Sequence, residues 1–401
     1  MPLAIGLNSG SSFDGMDAVL VEIDLGEDGY PVRPRFIDGL AYEWPTSVGE
    51  RVLASFNNKV DLFEMTRLNY EAGAVYAEAA RELMRRNNLA PEDVFVIGFD
   101  GQTVYQEPPK HELLGQVTDE SIVDLWLDGP YGAGFQIGEQ SVVSAVTQVP
   151  VVSVFRPMDH ALGGTGAPLM QFLDFCAFRD IGPIMTLNIG GIANCQLADA
   201  DRSKMMAFDT GPGNVMIDHA MRELYGREYD EDGTVAASGT VDPTMLAELK
   251  NHHFFQRKPP RSAWRLDFGA DYAQGFLDRY SSLSNEDLVA TFTEFTAFAI
   301  LQSIIDNVPG FGGVSEIIAS GGGVRNATLM ARLKELFAEN GVELTTSDKY
   351  GIPPQYKEAI KFATLAFANM HNIANNIPAA SGATSFAILG KLTKPPRWGR
   401  V

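Results

Sequence analysis

A junction of strand and glycine recurs along the chain and constrains its fold more than any other feature. Apolar runs end in glycine and small polar residues at NSGSSFDG (8–15), at LNIGGIAN (187–194) with FDTGPGN (208–214), and at ASGGGVRN (319–326). Such junctions belong to α/β folds, whose ligands collect at strand ends where backbone N–H groups and hydroxyls are presented. Each segment by itself also reads as a plain turn, because glycine is the default residue wherever the backbone reverses.

The second half of the chain repeats the grammar of the first. LAIGLNSGSS and DAVLVEIDLGEDGYPVRPRFIDGLAYEW read as an N-terminal meander of strands. VDLFEMTRLNYEAGAVYAEAARELMRRNNL then has helical spacing, with Leu62, Met65, Leu68, Val75, Ala79 and Leu83 on successive turns. PIMTLNIGGIANCQLA reads as strand–turn–strand, MMAFDTGPGNVMIDHAMREL as strand–turn–helix, and EIIASGGGVRNATLMARLKELF as strand–glycines–helix. DLVATFTEFTAFAILQSIIDNV, residues 287–308, reads as a long amphipathic helix, and 226–270 as the least ordered stretch. At 401 residues the chain exceeds the size at which one core stops growing, so two domains are expected. No low-complexity tether separates them, so they are joined by crossing elements.

Charge and cysteine content narrow the function. With 31 basic against 51 acidic residues the formal charge is −20, which disfavours general nucleic-acid binding. A small anionic ligand stays possible, since helix N-termini and glycine loops bind phosphate locally. Cys176 and Cys195 are too few for a disulfide framework or a zinc site, and the six histidines form no ligand cluster beyond the adjacent His252 and His253. No signal peptide or membrane-spanning run of roughly 20 apolar residues is apparent, so a reducing cytoplasmic location and no membrane partner are expected.

The glycine loops lack the lysine-bearing Walker A pattern and the dinucleotide fingerprint. A nucleotide site would have to work without them; two facing phosphate turns would do so, with Asp14, Asp17 and Asp209 as candidate ligands, directly or through water, for magnesium, which prefers hard oxygens.

Eight segments now stand in one order: GLNSGSSFDGMD, DGQTVYQEP, FRPMDHALGGTGAPL, NIGGIAN, FDTGPGN, YDEDGTVAASG, ASGGGVRN and KEAIKFA. The chain resembles the anhydro-N-acetylmuramic acid kinases from about residue 5 to 390, a set shared with levoglucosan kinase. The resemblance implies an α/β fold of two ribonuclease-H-like lobes, as in the sugar kinase, hexokinase and actin superfamily, with a nucleotide and sugar cleft between them. The expected division is an N-terminal lobe at 1–150, completed by 375–401, and a C-terminal lobe at 151–374.

The same resemblance implies roles. Ser9, Gly10, Ser11, Ser12, Asp14 and Asp17 would surround the β- and γ-phosphates and Mg2+, with Asp209, Thr210, Gly211, Gly213 and Asn214 opposite. Asn188, Gly190, Gly191 and Asn194 would lie beside that second loop, and Gly321, Gly322, Gly323 and Asn326 near the adenosine. Asp159 falls on the family's catalytic base, and Asp100, Gln102, Thr103, Arg156 and Glu358 on the sugar side. From the residues alone, Arg156 reads equally as a structural partner of Asp159, and Glu358 as an ordinary helix glutamate.

An ATP-dependent kinase is thus expected, one that opens the 1,6-anhydro bridge with water and phosphorylates O6 of a small-molecule sugar. The family's substrate is 1,6-anhydro-N-acetylmuramic acid, in cell-wall sugar recycling, and its members are homodimers. Two departures bear on the substrate. Asp100 stands where the family carries histidine, and RSAWRLDF (261–268) replaces a segment resembling STGRE-F. An aspartate close to the sugar would repel a muramoyl carboxylate and not a neutral anhydro sugar such as levoglucosan; the muramoyl sugar, the commoner substrate in the family, stays the first expectation. A non-catalytic actin-like nucleotide switch and a hydrolase acting without ATP are the other readings.

Overall fold

The structure is a computed structural model that describes every residue except Ser11, Ser12, Asp14, 111–122, 124–125, 127–129, Pro168, Pro260, Trp264 and 397–401. The chain divides into two compact units. The first comprises Met1–Arg179, Asp201–Lys204 and Tyr356–Val401, and the second Asp180–Ala200 and Met205–Gln355. The main division therefore falls after Arg179 rather than at 150, and it assigns Asp159 to the first unit, not to the C-terminal lobe expected for it.

In the first unit β1 (Leu3–Ser9), β2 (Met16–Glu22) and β3 (Arg35–Tyr42) form the expected antiparallel meander. β4 (Val94–Gly98) runs parallel to β1 on its other side, and a side hairpin of β5 (Gln102–Glu107) and β6 (Ala133–Ile137) precedes β7 (Val151–Ser153), parallel to β4. In the second unit β8 (Ile184–Ile189), β9 (Ile192–Ala198) and β10 (Met206–Pro212) form another antiparallel meander. β11 (Glu316–Ser320) then lies parallel to β8, and β12 (Glu343–Thr346) parallel to β11. The sheet orders are β3-β2-β1-β4-β7, extended by β13 (Lys391–Thr393), and β10-β9-β8-β11-β12. The repeated sequence grammar is thus a repeated topology: three meander strands, then two parallel additions reached through helices.

Two strand glycines set how the first unit closes. The helix Lys357–Met370 lies so close on β1 and β4 that a Cβ on Gly6 would fall 1.9 Å from the Ala359 carbonyl oxygen. One on Gly98 would fall 2.1 Å from that of Phe362. Absence of a side chain lets strand and helix backbones approach, as glycine inside a strand often signals. This packing places Glu358 and Lys361 at a fixed height over the sheet.

The helix Leu62–Arg86 begins with a capping box, Asp61 accepting from the Glu64 N–H while the Glu64 carboxylate accepts from that of Asp61. Leu68, Val75, Ala79 and Leu83 are buried on it as their spacing predicts, whereas Leu62, in the first turn, is exposed. The helix Asn285–Asn307 departs from the amphipathic expectation. It is long and apolar enough to cross a membrane by length and composition, but it is the core helix of the second unit, with Thr291, Thr293, Thr296 and Ser303 also buried. Those hydroxyls find backbone acceptors, Ser303 donating to the Thr210 carbonyl at 2.6 Å and Thr296 to that of Gly213 at 2.8 Å. The stretch after residue 226 is also more regular than its composition suggests, with helices at Thr234–Ser238, Pro243–Lys250 and Ala270–Arg279.

Candidate active site

On the first unit, the loop between β1 and β2 starts from a polar knot. The Ser9 hydroxyl donates to Gln102 Oε1 at 2.6 Å and accepts from Trp44 Nε1 at 3.2 Å, in surroundings where Gln102 is wholly buried. Phe13, at a left-handed φ of 55°, sets its ring 5.1 Å from that of Trp44 and 6.0 Å from that of Phe56. Such backbone strain persists where packing over-determines it. Gly10 closes the turn by accepting from the Phe13 N–H at 3.2 Å. Asp17 lies on β2 opposite Asn8, half-buried. Ser11, Ser12 and Asp14, expected around the phosphates, lie outside the described residues.

The short helix Arg156–Ala161 follows β7 and carries Asp159, which is 1% exposed. Both carboxylate oxygens are engaged, Oδ2 accepting from the Gly166 N–H at 2.8 Å and Oδ1 from the Ser381 hydroxyl at 2.8 Å. A Cβ on Gly164 would lie 2.3 Å from Oδ2, so the loop is shaped to the carboxylate. His160 beside it is also buried, its Nε2 3.1 Å from Gln106 Nε2 and its Nδ1 3.3 Å from the Gly164 carbonyl. Burial holds the His160 ring below its ordinary pKa, against the Gly164 carbonyl and the Asp159 charge, which favour protonation.

Asp100 is not free to repel a substrate. Its Oδ2 accepts from Arg156 Nε at 2.5 Å and its Oδ1 from the Phe155 N–H at 3.0 Å. Arg156 is therefore the partner of Asp100, and the alternative pairing with Asp159 is absent among the described contacts. Thr103 sits half-buried on β5 next to Gln102. Glu358, in the first turn of its helix, lies 3.6 Å from Lys361 Nζ. Burial drives the Lys361 ammonium below its ordinary pKa, with Glu358 and Asp100 opposing that shift and Arg156 adding to it.

On the second unit, two predicted loops are one structure. The carbonyl of Gly191 accepts from the N–H groups of Gly213 and Val215 at 2.9 and 3.1 Å, and that of Gly190 from Asn214 at 2.8 Å. A Cβ on Gly213 would stand 2.2 Å from the Gly190 oxygen, so no larger residue fits there without movement. The turn thereby binds the entry of the helix Val215–Tyr225. Thr210 is buried and donates to the Ala193 carbonyl at 3.1 Å, Gly211 has a φ of 135°, and Asn194 accepts from Gln196 Nε2 at 2.6 Å. Asp209, half-buried on β10, accepts from the Ala263 N–H at 2.7 Å. Desolvation pushes its carboxyl up to about 7, against the Ala263 N–H and Arg261, which both favour the charge. Part of the departing segment 261–268 therefore braces Asp209: Arg261 Nε also donates to the Asp209 carbonyl at 3.0 Å.

The third glycine segment separates into closed and open positions. A Cβ on Gly321 would fall 2.7 Å from Asn188 Oδ1, and one on Gly323 2.3 Å from Ile189 Cγ2, while one on Gly322 meets nothing within 4 Å. Asn326 caps the helix Ala327–Glu339 by accepting from the Leu329 N–H at 2.9 Å. The predicted residues thus fall into two sets. Asp100, Gln102, Thr103, Arg156, Asp159 and Glu358 join Ser9, Gly10 and Asp17 on the first unit, and the remaining described ones lie on the second. Sequence reasoning missed Gly166, Ser381 and Lys361. The GGTGAP turn after Asp159 hinted at the first, whereas nothing local in AASGATS pointed to Ser381.

The cluster of His252, His253 and Asp267 has metal-ligand spacing, but Arg257 already fills it. Its Nη2 donates to Asp267 Oδ1 at 2.7 Å and lies 2.8 Å from His253 Nε2.

Comparison with known proteins places these features. The family model described as "Anhydro-N-acetylmuramic acid kinase" matches residues 2–395. A protein named anhydro-N-acetylmuramic acid kinase from Francisella tularensis subsp. novicida is 35% identical over 396 residues, covering 97% of each chain. Another of that name from Clostridioides difficile is 32% identical over 403 residues, covering 99% of this chain and 100% of its own. Among solved structures, the (R)-2-hydroxyglutaryl-CoA dehydratase component A of Acidaminococcus fermentans is similar at a TM-score of 0.43 and 12% identity, over 92% of this chain and all of that one. The family match spans the Asp159 loop and the glycine junctions of both units, and so the chain belongs to the anhydro-N-acetylmuramic acid kinase family.

Proposed function

We infer that this chain is an ATP-dependent kinase that opens the bridge of 1,6-anhydro-N-acetylmuramic acid with water and phosphorylates O6, yielding N-acetylmuramic acid 6-phosphate in cell-wall sugar recycling. The observation that carries the reading is Asp159: a buried carboxylate, both oxygens oriented by donors, at the position of the family's base. An anhydro sugar has no free 6-hydroxyl. Asp159 takes a proton from a water whose oxygen bonds to C1; the C1–O6 bond breaks with its electron pair on O6. O6 then attacks the γ-phosphorus of ATP, the bond from that phosphorus to the bridging oxygen breaks with its electron pair on the departing ADP, and Asp159 releases its proton to solvent.

Magnesium-bound ATP supplies the phosphoryl group and neutralises charge during transfer. The residues present fit it. Asp209 carries a desolvated carboxyl that a hard cation would satisfy, and Gly322 leaves open space where a ligand can approach backbone. Asp209 and Asp17 would hold the metal, in part through water, with Asp14 as a third ligand. Ser9 and Gly10 would hold phosphate oxygens, together with Ser11 and Ser12. Thr210, Gly211, Gly213 and Asn214 would do so from the second loop, which Asn188, Gly190, Gly191 and Asn194 brace. Gly321, Gly322, Gly323 and Asn326 would flank the adenosine, and Asp100, Gln102, Thr103, Arg156 and Glu358 the sugar.

The pairing of Asp100 with Arg156 removes the premise for a neutral sugar. The aspartate's charge is spent on a guanidinium and a backbone N–H, and among the described contacts only Nε of Arg156 is used. The remaining guanidinium nitrogens suit a carboxylate-bearing sugar. The test is a panel of anhydro sugars with ATP and magnesium, read by phosphorus NMR. A 6-phosphate formed from the muramoyl sugar in preference to levoglucosan supports the reading. ATP hydrolysis independent of any sugar would support a nucleotide switch instead, and sugar opening without ATP a hydrolase. A homodimer, as in the family, is part of the same reading.

A further inference from the structure

We propose that Ser381 is the positioning residue of Asp159, its hydroxyl locking the carboxylate in the orientation that receives the water's proton. The inference rests on Asp159 being the base. Asp159 belongs to a helix of six residues, which by itself restrains little. The restraint comes from a segment 222 residues away in sequence. Ser381 ends the short helix Pro378–Ser381, and Gly382 turns the chain back with a φ of 79°.

From there the segment grips the base-bearing loop three times. The Ser381 hydroxyl donates to Asp159 Oδ1 at 2.8 Å, the Ser381 carbonyl accepts from the Thr165 N–H at 2.9 Å, and the Leu162 carbonyl accepts from the Thr384 N–H at 2.9 Å. The single hydroxyl proton is given to Asp159 Oδ1, while a lone pair of the same oxygen accepts from the Ala383 N–H at 3.3 Å. Gly166 N–H holds the other oxygen, and a side chain at position 164 would collide with the carboxylate, so the loop there is fitted to it. A carboxylate offers about four lone-pair sites. Two donors in fixed directions select which of the others face the reacting water, and misalignment of a base by about 1 Å costs on the order of a hundredfold in rate.

A purely structural role, satisfying a buried carboxylate, predicts loss of stability or of binding without a separate loss of turnover. The experiment therefore compares Ser381→Ala, Ser381→Thr and Ser381→Cys in the full-length protein with 1,6-anhydro-N-acetylmuramic acid, ATP and magnesium. The positioning role predicts that Ser381→Ala lowers kcat by about tenfold or more while both KM values stay within about threefold. Ser381→Thr, which keeps the hydroxyl, restores kcat to within about threefold of wild type. Ser381→Cys, nearly isosteric with a weak donor, keeps the fold and falls between them; it carries the comparison if the alanine variant does not fold. Wild-type kcat in Ser381→Ala or Ser381→Cys overturns the proposal, as does a threonine variant as slow as the alanine one. Asp159→Asn separates the two readings: a full rate in that variant removes the base itself, whereas loss there with wild-type kcat in Ser381→Ala removes only the positioning role.

Discussion

Arg156 Nε donates to Asp100 Oδ2 at 2.5 Å, joining two side chains that lie 56 residues apart and are 17% and 1% exposed. The pair forms because Asp100 lies two residues past the end of β4 and Arg156 three past the end of its parallel neighbour β7, so both follow adjacent strand ends. Asp100→Ala strips the acceptor from both Arg156 and the Phe155 N–H. Breaking such a buried pair from one side costs about 3 kcal/mol, so melting temperature falls and the KM for the sugar rises. Asp100→His, which restores the family's residue, supplies no anion to Arg156 and is expected to fall short of wild type too. An alanine variant with unchanged melting temperature and KM would contradict the pairing.

Asp159→Asn preserves volume; its amide oxygen can still accept from the Gly166 N–H while its Nδ2 donates to the Ser381 hydroxyl oxygen, but it cannot take a proton. Turnover with the anhydro sugar is expected to fall by roughly a hundredfold to ten-thousandfold. ATP affinity, measured calorimetrically, stays near wild type. A variant that turns over at the wild-type rate would sink the assignment.

Gly322 and Gly323 differ although they are neighbours. A Cβ at Gly323 meets Ile189 Cγ2 at 2.3 Å, and overpacking of this kind costs about 1–3 kcal/mol. A Cβ at Gly322 meets no protein atom within 4 Å. Gly323→Ala should therefore lower the melting temperature. Gly322→Ala should leave it unchanged and, on the proposed function, weaken ATP binding by filling the space proposed for the nucleotide. Equal ATP affinity in Gly322→Ala and wild type would remove that face from the nucleotide site.

His252 ties pH to stability. Burial, then the charges of His253 and Arg257, lower its pKa to about 4, against Asp267, which favours protonation. Its Nδ1 accepts from the Phe254 N–H at 3.1 Å and so must stay unprotonated in the fold. The unfolded imidazole titrates near 6.5. Between that value and about 4 the unfolded chain binds more protons than the native one, so stability is fully present above 6.5 and is lost as pH falls toward 4. His252→Asn, whose side-chain oxygen can keep the cap, should lose less melting temperature than wild type between about pH 7.5 and 5. His160 shifts in the same direction but is common to both proteins, so it cancels in the difference. Parallel pH profiles would show that His252 does not titrate on unfolding.

Local pattern carried much of this protein. The glycine junctions at 8–15, 187–194, 208–214 and 319–326 all fall at strand ends, because glycine and small polar residues cannot extend a buried strand and do allow a sharp turn. The alternating and helical periodicities placed β1–β3, β8–β11 and the helices Leu62–Arg86 and Ala327–Glu339, since those periods record which face must leave water. Ordered motifs identified the family and put Asp159 forward as the base. Partnership lay beyond reach. That Arg156 belongs to Asp100, that Gly190 and Gly191 bind the entry of the helix at Val215, and that Ser381 reaches Asp159 depend on which strand ends and loops the sheet order brings together. Periodicity states only how each segment faces a core. It says nothing of which distant segment supplies a donor, because a hydrogen bond spanning 222 residues leaves no spacing in the chain to read.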